Sequence, residues 1–405
     1  MHIINLLDET TIDQIAAGEV VDRPLNVVKE LCENSIDAGA TAITAEIKNG
    51  GIKFIRVTDN GIGIPKTEIP KAFLRHATSK IVNAKDLLNI HSLGFRGEAL
   101  SSICAVSSVE LITKEADSLL GFRYLIEGAK ELLFEEIGAP NGTTIIVKDL
   151  FFNVPARRKF LKSDQTEGSY VADMMESLAL SHPDISIDFI HNNKHIFSTS
   201  GNGSIEEVIY RIYGKDVKEK LIDFRIDSEN LSINGFLGKP EINRSNRNFE
   251  NIFVNGRFVK CDILQKAVEE GYKNFLMQHK FPFFVLYLNI DPKRIDVNVH
   301  PSKMEIRIED SQDIYETIVE NVKNKLSLIE LIPEAVLEKE NIVIDTVKAP
   351  EPFEINRRLS AYESLPKKEL KISRDFEDIS FESEDAEAKV PVEETKAEEA
   401  VASEE

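Results

Sequence analysis

Apolar and polar positions alternate along the chain in a way that separates an α/β region, a second region of mixed elements and a polar end. After Asp22-Arg23-Pro24, apolar residues recur at helical spacing through Val27-Val28-Lys29-Glu30-Leu31-Cys32-Glu33-Asn34-Ser35-Ile36-Asp37 and stop at Ala38-Gly39. Proline near the first turn and glycine past the last punctuate a helix. Residues 42–47 and 53–58 then alternate with period two around Lys48-Asn49-Gly50-Gly51, which predicts a β-hairpin. Glycine-rich loops follow at 59–64 and 94–97, strands at 109–113, 121–127 and 143–148, and a helix at 165–180. Gly201-Asn202-Gly203 reads as a hinge into helix 205–213, strands 232–237 and 251–254, helix 262–272, strands 283–289 and 295–299, and helix 310–326. Periodicity fades after Pro333, and residues 371–405 are dominated by Glu, Ala and Ser, a composition that predicts disorder. The expected domains are therefore 1–203, 204–332 and a linker with an acidic tail at 333–405. No internal repeat is visible.

Composition narrows the class. Of 405 residues, 42% are hydrophobic, enough for real cores, and domains of roughly 100–200 residues predict two or three units. Cys32, Cys104 and Cys261 are widely spaced and form no C-x-x-C pair, which predicts a reducing compartment without a disulfide framework or zinc site. The first residues, Met1-His2-Ile3-Ile4-Asn5, lack the basic and apolar runs of a signal peptide. No run approaches the ~18 apolar residues of a membrane span, so no membrane partner is expected. The net charge of -20 argues against nucleic acid, but residues 375–405 hold 13 acids against Lys389 and Lys396. The rest of the chain is only mildly acidic, so any DNA contact must come from a local basic patch.

Glu30, Asn34 and Asp37 stand at i, i+4 and i+7 of the first-read helix and share a face, with Ser35 on a neighbouring one. A carboxylate and a carboxamide one turn apart can orient water and ligate Mg²⁺, which takes oxygen ligands. Such a face also simply meets water in many helices. Val57-Thr58-Asp59-Asn60-Gly61-Ile62-Gly63-Ile64 ends a strand in Asp59, followed by glycines two apart. It can bring backbone to a planar ligand while the carboxylate accepts an amino hydrogen, or it can be an ordinary turn. No Walker A loop and no helix-opening G-x-G-x-x-G occurs. Gly94 and Gly97, beside Lys80 and Arg96, can expose backbone N–H groups to phosphate. His76 belongs to no metal set or triad and reads as an ordinary histidine. Asn141-Gly142-Thr143-Thr144 opens a strand whose hydroxyls can reach a base.

Seven stretches together resemble the MutL (MutL/HexB) family in order and spacing. They are Gln14-Ile15-Ala16-Ala17-Gly18-Glu19-Val20-Val21, Lys29 to Ala40, Asp59 to Ile64, Arg75-His76-Ala77-Thr78-Ser79-Lys80, Gly94-Phe95-Arg96-Gly97-Glu98-Ala99-Leu100, Phe151-Phe152-Asn153-Val154-Pro155-Ala156-Arg157-Arg158-Lys159-Phe160-Leu161, and Asp296-Val297-Asn298-Val299-His300-Pro301-Ser302-Lys303. The resemblance spans residues 1 to about 330. It implies the GHKL (Bergerat) nucleotide fold, an α+β two-layer sandwich, followed by a β-α-β domain like ribosomal protein S5 domain 2.

The resemblance further implies Glu30 as general base, Asn34 as Mg²⁺ ligand with Asp37 near the nucleotide, and Asp59 as acceptor for the adenine amino group. Gly61, Gly63 and Thr143 would lie beside the base. An ATP lid would run over residues 72–96, with Thr78, Ser79, Lys80, Gly94, Phe95, Arg96 and Gly97 near the phosphates and Lys303 sensing the γ-phosphate. It implies a slow Mg²⁺-dependent ATPase acting as an ATP-driven clamp in DNA mismatch repair. Expected partners are DNA, a mismatch-recognition protein of the MutS type, a downstream nuclease or helicase, and a second copy through the N-terminal region. The expected setting is the bacterial cytoplasm, at the nucleoid. Arg157-Arg158-Lys159, and Arg257 with Lys260, are basic clusters that either touch DNA phosphates or are ordinary solvated charge.

The family's C-terminal dimerisation domain, and the endonuclease motif that some members carry there, have no counterpart in these residues. Self-association is accordingly expected only with ATP, and nicking is not expected. A topoisomerase-type ATPase lacks the Gly94–Leu100 string. A histidine kinase needs a phospho-acceptor helix, and a first helix near residue 24 leaves no room for one. A scaffold that has lost hydrolysis sits poorly with intact Glu30, Asn34 and Lys303.

Overall fold

The computed structural model describes residues 8–80, 97–227, 231–291, 294–296, 307–308 and 311–328, and the acidic end lies outside them. Asp8 opens α1 (Glu9–Val20), its carboxylate accepting from the Thr11 amide at 3.3 Å. This helix precedes the one read as first. Ile12 and Ile15 on it stay 39% and 56% exposed, so it carries little amphipathic signal. Helix α2 (Pro24–Asp37) starts on Pro24 and buries Val27, Val28, Leu31, Cys32 and Ser35. The hairpin is β1 (Ala42–Lys48) and β2 (Phe54–Asp59).

After the short helices α3 (Ile69–Ala72) and α4 (Ala99–Ala105) come β3 (Ser108–Lys114), β4 (Gly121–Glu127), β5 (Lys130–Ile137) and β6 (Gly142–Lys148). Helices α5 (Pro155–Phe160) and α6 (Asp164–Ser181) lead to β7 (Ser186–His191) and β8 (Lys194–Ser198). Among the described residues these eight strands form one sheet in the order β5-β4-β3-β6-β2-β1-β7-β8. Helices α2, α4 and α6 layer against it. The register at the centre of the sheet brings distant residues together: Asp59 pairs with Thr143 across β2 and β6, and Thr143 with Thr113 across β6 and β3.

Helices α7 (Ile205–Tyr213) and α8 (Lys215–Lys218) lead to a second sheet of β9 (Leu221–Asp227), β10 (Leu231–Gly238), β11 (Glu250–Val254), β12 (Arg257–Val259) and β13 (Phe284–Ile290). Its order is β12-β11-β13-β10-β9, and only β11 and β13 pair in parallel. Helix α9 (Asp262–Tyr272) makes that crossover, a β-α-β unit. A short pair, β14 (Ile295–Asp296) with β15 (Arg307–Ile308), precedes α10 (Ser311–Ser327), which packs on α9. A second core, including Ile233, Phe284, Val268 and Val322, lies between the sheet and these helices. The two layers meet along α6, where the Tyr287 hydroxyl of β13 donates to the Leu180 carbonyl at 2.6 Å.

Candidate active site

A cavity of about 2000 Å³ opens beside α2 and collects most of the residues singled out in the sequence. At one end, Asp59 terminates β2 and its carboxylate is nearly saturated. Oδ1 accepts from the Gly61 amide at 2.9 Å and the Thr143 amide at 3.1 Å, and Oδ2 accepts from the Ser35 hydroxyl at 2.8 Å. A carboxylate offers about four lone-pair sites, so one acceptor position remains. Gly63 closes this end with φ +78°, and a Cβ there would stand 2.4 Å from the Lys114 carbonyl oxygen. Only glycine satisfies both conditions. Thr143 also lines the cavity.

At the other end, Glu30, Asn34 and Asp37 present the polar face of α2 to the same space. The Lys80 ammonium donates to Asn34 Oδ1 at 3.0 Å and to Asp37 Oδ2 at 2.5 Å. Two oxygens one turn apart thus converge on a single positive charge. Glu30 lines the cavity, and its carboxylate makes no hydrogen bond or ion pair with the described residues. Thr78, Ser79 and Gly97 lie here too, and the Thr78 hydroxyl accepts from the Lys80 amide at 3.2 Å. Gly97 has φ +61° and approaches Ala77 so closely that a Cβ would meet its carbonyl oxygen at 2.5 Å. Gly94, Phe95, Arg96 and Lys303 lie outside the described residues. His76 is exposed and faces Glu98 at 3.2 Å at the rim of the same cavity.

Sequence reasoning misses several contributors. Helical spacing puts Ser35 on a neighbouring face of α2, yet its hydroxyl holds Asp59. Thr113 is fully buried beneath the Asp59 end. Helix α6 lines the far wall with Tyr170, Asp173 and Glu176, joined by His182 just past its end, and the Arg23 guanidinium lies 5.3 Å from the Tyr170 ring centre. Burial raises the Glu176 carboxyl to about 7, helped by the charge of Asp173, while a Tyr213 hydrogen bond pulls the other way. Burial likewise lowers the His182 imidazole, against the pull of Asp184 and Asp37. No sequence signal marks these groups, because the segment reads only as an ordinary helix.

The basic clusters divide. Arg157 does not join Arg158 and Lys159 at the surface. Its guanidinium packs 5.6 Å from the Phe151 ring centre and against Gly18, where it fills the space a Cβ would take. Consecutive helical residues do not share a face, and α5 obeys that rule. Arg158 and Lys159 are exposed. Arg257 and Lys260 line the cavity on the second-sheet side. Arg244 lies 4.7 Å over Phe249, and Arg247 grips Glu269 at 2.5 and 3.1 Å, so both have partners within the chain.

Residues 23–127 match the family described as histidine kinase-, DNA gyrase B-, and HSP90-like ATPase. Residues 209–327 match that described as DNA mismatch repair protein, C-terminal domain. A DNA mismatch repair protein MutL from Agathobacter rectalis is 57% identical over 88% of this chain and 56% of its own length. One from Caldanaerobacter subterraneus subsp. tengcongensis is 49% identical over 84% of this chain and 58% of its own. The chain thus spans little more than half the length of these relatives. Among solved structures, the N-terminal domain of a DNA repair protein superposes with TM-score 0.66 at 26% identity, covering 78% of this chain and 98% of that one. The Aquifex aeolicus MutL ATPase domain complexed with ADP does so with TM-score 0.55 at 24% identity, covering 77% and 100%. By these likenesses the chain belongs to the MutL family of DNA mismatch repair proteins and has the mixed α/β architecture of its GHKL-type ATPase domains.

Proposed function

We propose that this chain binds ATP with Mg²⁺ and hydrolyses it, as the nucleotide-driven part of a mismatch-repair protein. The observation that carries the reading is the convergence of Asp59, Gly63 and Thr143 with Glu30, Asn34 and Lys80 on one cavity. The open acceptor position of Asp59 suits an amino group of the base. Glu30, with no protein partner among the described residues, is placed to orient a water and take its proton, worth typically ~10²–10⁴-fold. Lys80 already donates into this end of the cavity and suits a phosphate oxygen.

The donor chemistry fits the metal as well. Asn34 and Asp37 offer neutral and anionic oxygens to one cation, and Mg²⁺ in such sites takes few protein ligands alongside substrate phosphates. Held by Asn34, Mg²⁺ would supply neutralisation of charge developing on the phosphates. Phosphate release and calorimetric ATP binding test the reading together. Wild type should do both, and Glu30→Ala should bind without releasing phosphate. Turnover at the wild-type rate in that variant removes Glu30 from the chemistry.

The identity of the relatives supports the wider role: ATP-linked pairing of two copies as a clamp, with DNA, a MutS-type mismatch-recognition protein and a downstream nuclease or helicase as partners. Arg158 and Lys159, and Arg257 with Lys260, are the proposed contacts to DNA phosphates. Sedimentation of the chain with and without a non-hydrolysable ATP analogue measures the pairing. A stable dimer without nucleotide contradicts it.

A further inference from the structure

The Thr113 hydroxyl meets three groups at once in a site without water access. It lies 3.1 Å from the Gly142 carbonyl oxygen, 2.9 Å from the Ile64 amide nitrogen and 3.1 Å from the Thr143 hydroxyl, and the residue is 0% exposed. A hydroxyl has one proton and two lone pairs. The Ile64 N–H can only donate, so it takes one lone pair. The Gly142 carbonyl can only accept, and two oxygens 3.1 Å apart with no proton between them repel, so the Thr113 proton goes there. One lone pair is left, and the Thr143 hydroxyl fills it by donating. This assignment satisfies every one of these partners, and buried polar groups are satisfied in nearly all proteins.

The assignment fixes what Thr143 shows to the cavity. With its proton turned inward to Thr113, its Oγ1 offers only lone pairs outward. Asp59, its neighbour across β2 and β6, also offers only an acceptor. We infer that Thr113 is a positioning residue that sets base selectivity: it makes the pair Thr143 and Asp59 an acceptor-only surface, which takes a purine with an amino group at ring position 6 and rejects a 6-oxo purine. Thr113 does not itself line the cavity and acts through Thr143. The inference rests on the proposed nucleotide binding and adds to it the group that chooses between purines.

Thr113→Val is close in shape and removes the hydroxyl, so the Thr143 proton is free to turn outward and donate to a 6-oxo group. Dissociation constants for ATP and inosine triphosphate, both with Mg²⁺, are measured by calorimetry on the full chain. The wild type prefers ATP. In T113V the ratio of the two constants falls by about tenfold, the scale of one hydrogen bond made or left unmade, while Thr113→Ser keeps the wild-type ratio. A T113V chain that weakens both nucleotides equally shows a structural role only and overturns the inference, as does a T113S chain that loses selectivity. Should T113V not fold, Thr143→Val removes the same lone pairs from the cavity side and must also lower the ratio, and an unchanged ratio there overturns it. A wild-type chain that binds neither nucleotide removes the nucleotide reading itself. One that prefers ATP while T113V keeps that preference removes this inference alone.

Discussion

The two ends of the cavity are built from different materials. At the Asp59 end, the groups are backbone amides, buried hydroxyls and a glycine packed on a carbonyl, all fixed by the register of β3, β6 and β2. At the Glu30 end, they are long side chains, and Lys80 is bound to Asp37 and Asn34 with 21% and 11% of the Lys80 and Asp37 side chains exposed. The first end is organised before any ligand arrives and costs little to use. The second holds its cation in place with the Asp37 carboxylate and the Asn34 carboxamide, so binding there must exchange one set of contacts for another. A site divided in this way can recognise a base rigidly and still change its charge pattern when phosphates enter.

The largest effects should therefore separate chemistry from binding. Glu30→Ala should lower turnover by about 10²–10⁴-fold with ATP affinity changed little, read by phosphate release beside calorimetry. If affinity falls in step with turnover, Glu30 belongs to binding, and the contrast between the ends disappears. Asp59→Asn should act the opposite way. With its oxygen kept toward the Gly61 and Thr143 amides, it puts an NH2 donor where Oδ2 offers the open lone pair, opposing the ligand's amino group, and should weaken adenosine and ATP alike by about 10–100-fold, since hydrogen bonds to charged groups are worth about 1.5–3 kcal/mol. Equal affinities in variant and wild type would take Asp59 out of the site.

What is legible in the sequence follows the same division. Helix α2 is readable because Pro24 and the 3.6-residue period agree, and the hairpin because Asn49, Gly50 and Gly51 all adopt positive φ (50°, 64° and 84°). Both are local signals. Helix α1 is not, because Ile12 and Ile15 stay at the surface and blur its apolar face. Strand β5 is not, because it is an edge strand with polar residues on both faces. Glu30, Asn34 and Asp37 can be grouped by spacing alone, since one helix carries them. Ser35 with Asp59, 24 residues apart, and Thr113 with Thr143, 30 apart, meet only through strand register, which no local pattern records. Arg157 misleads for a related reason: a run of basic residues on a helix points in several directions, and only packing shows that one turns inward to Phe151.

A smaller effect sharpens the contrast. Lys80→Met should weaken ATP by about fivefold, the loss of a charge-assisted contact to phosphate offset by the loss of the Lys80–Asp37 pair in the free protein. Adenosine, which has no phosphates, should bind as in wild type. Calorimetry with the two ligands decides the point. An equal loss for both would mean that Lys80 shapes the whole cavity rather than its charged end.

The smallest effect lies on α6, which backs α2 through Cys32 and Met175 and carries Glu176 on its other side, against Tyr213. Burial raises this carboxyl from 4.5 to about 7, with Asp173 adding to the shift. A raised carboxylate pKa means that the folded state binds the proton more tightly than the unfolded state. Its contribution to stability is full below pH 4.5 and is lost as pH rises through about 7. Glu176→Gln, neutral at every pH, should therefore be nearly neutral for stability at pH 5 and stabilising at pH 8, by on the order of 1 kcal/mol after allowance for partial solvent screening. Thermal midpoints of both chains at the two pH values measure it. If the two ends act independently, the adenosine affinity of the folded chain should stay flat over the same range. If it instead tracks Glu176, the two ends of the cavity are coupled through α2, and the rigidity assigned to the base-binding end has to be given up.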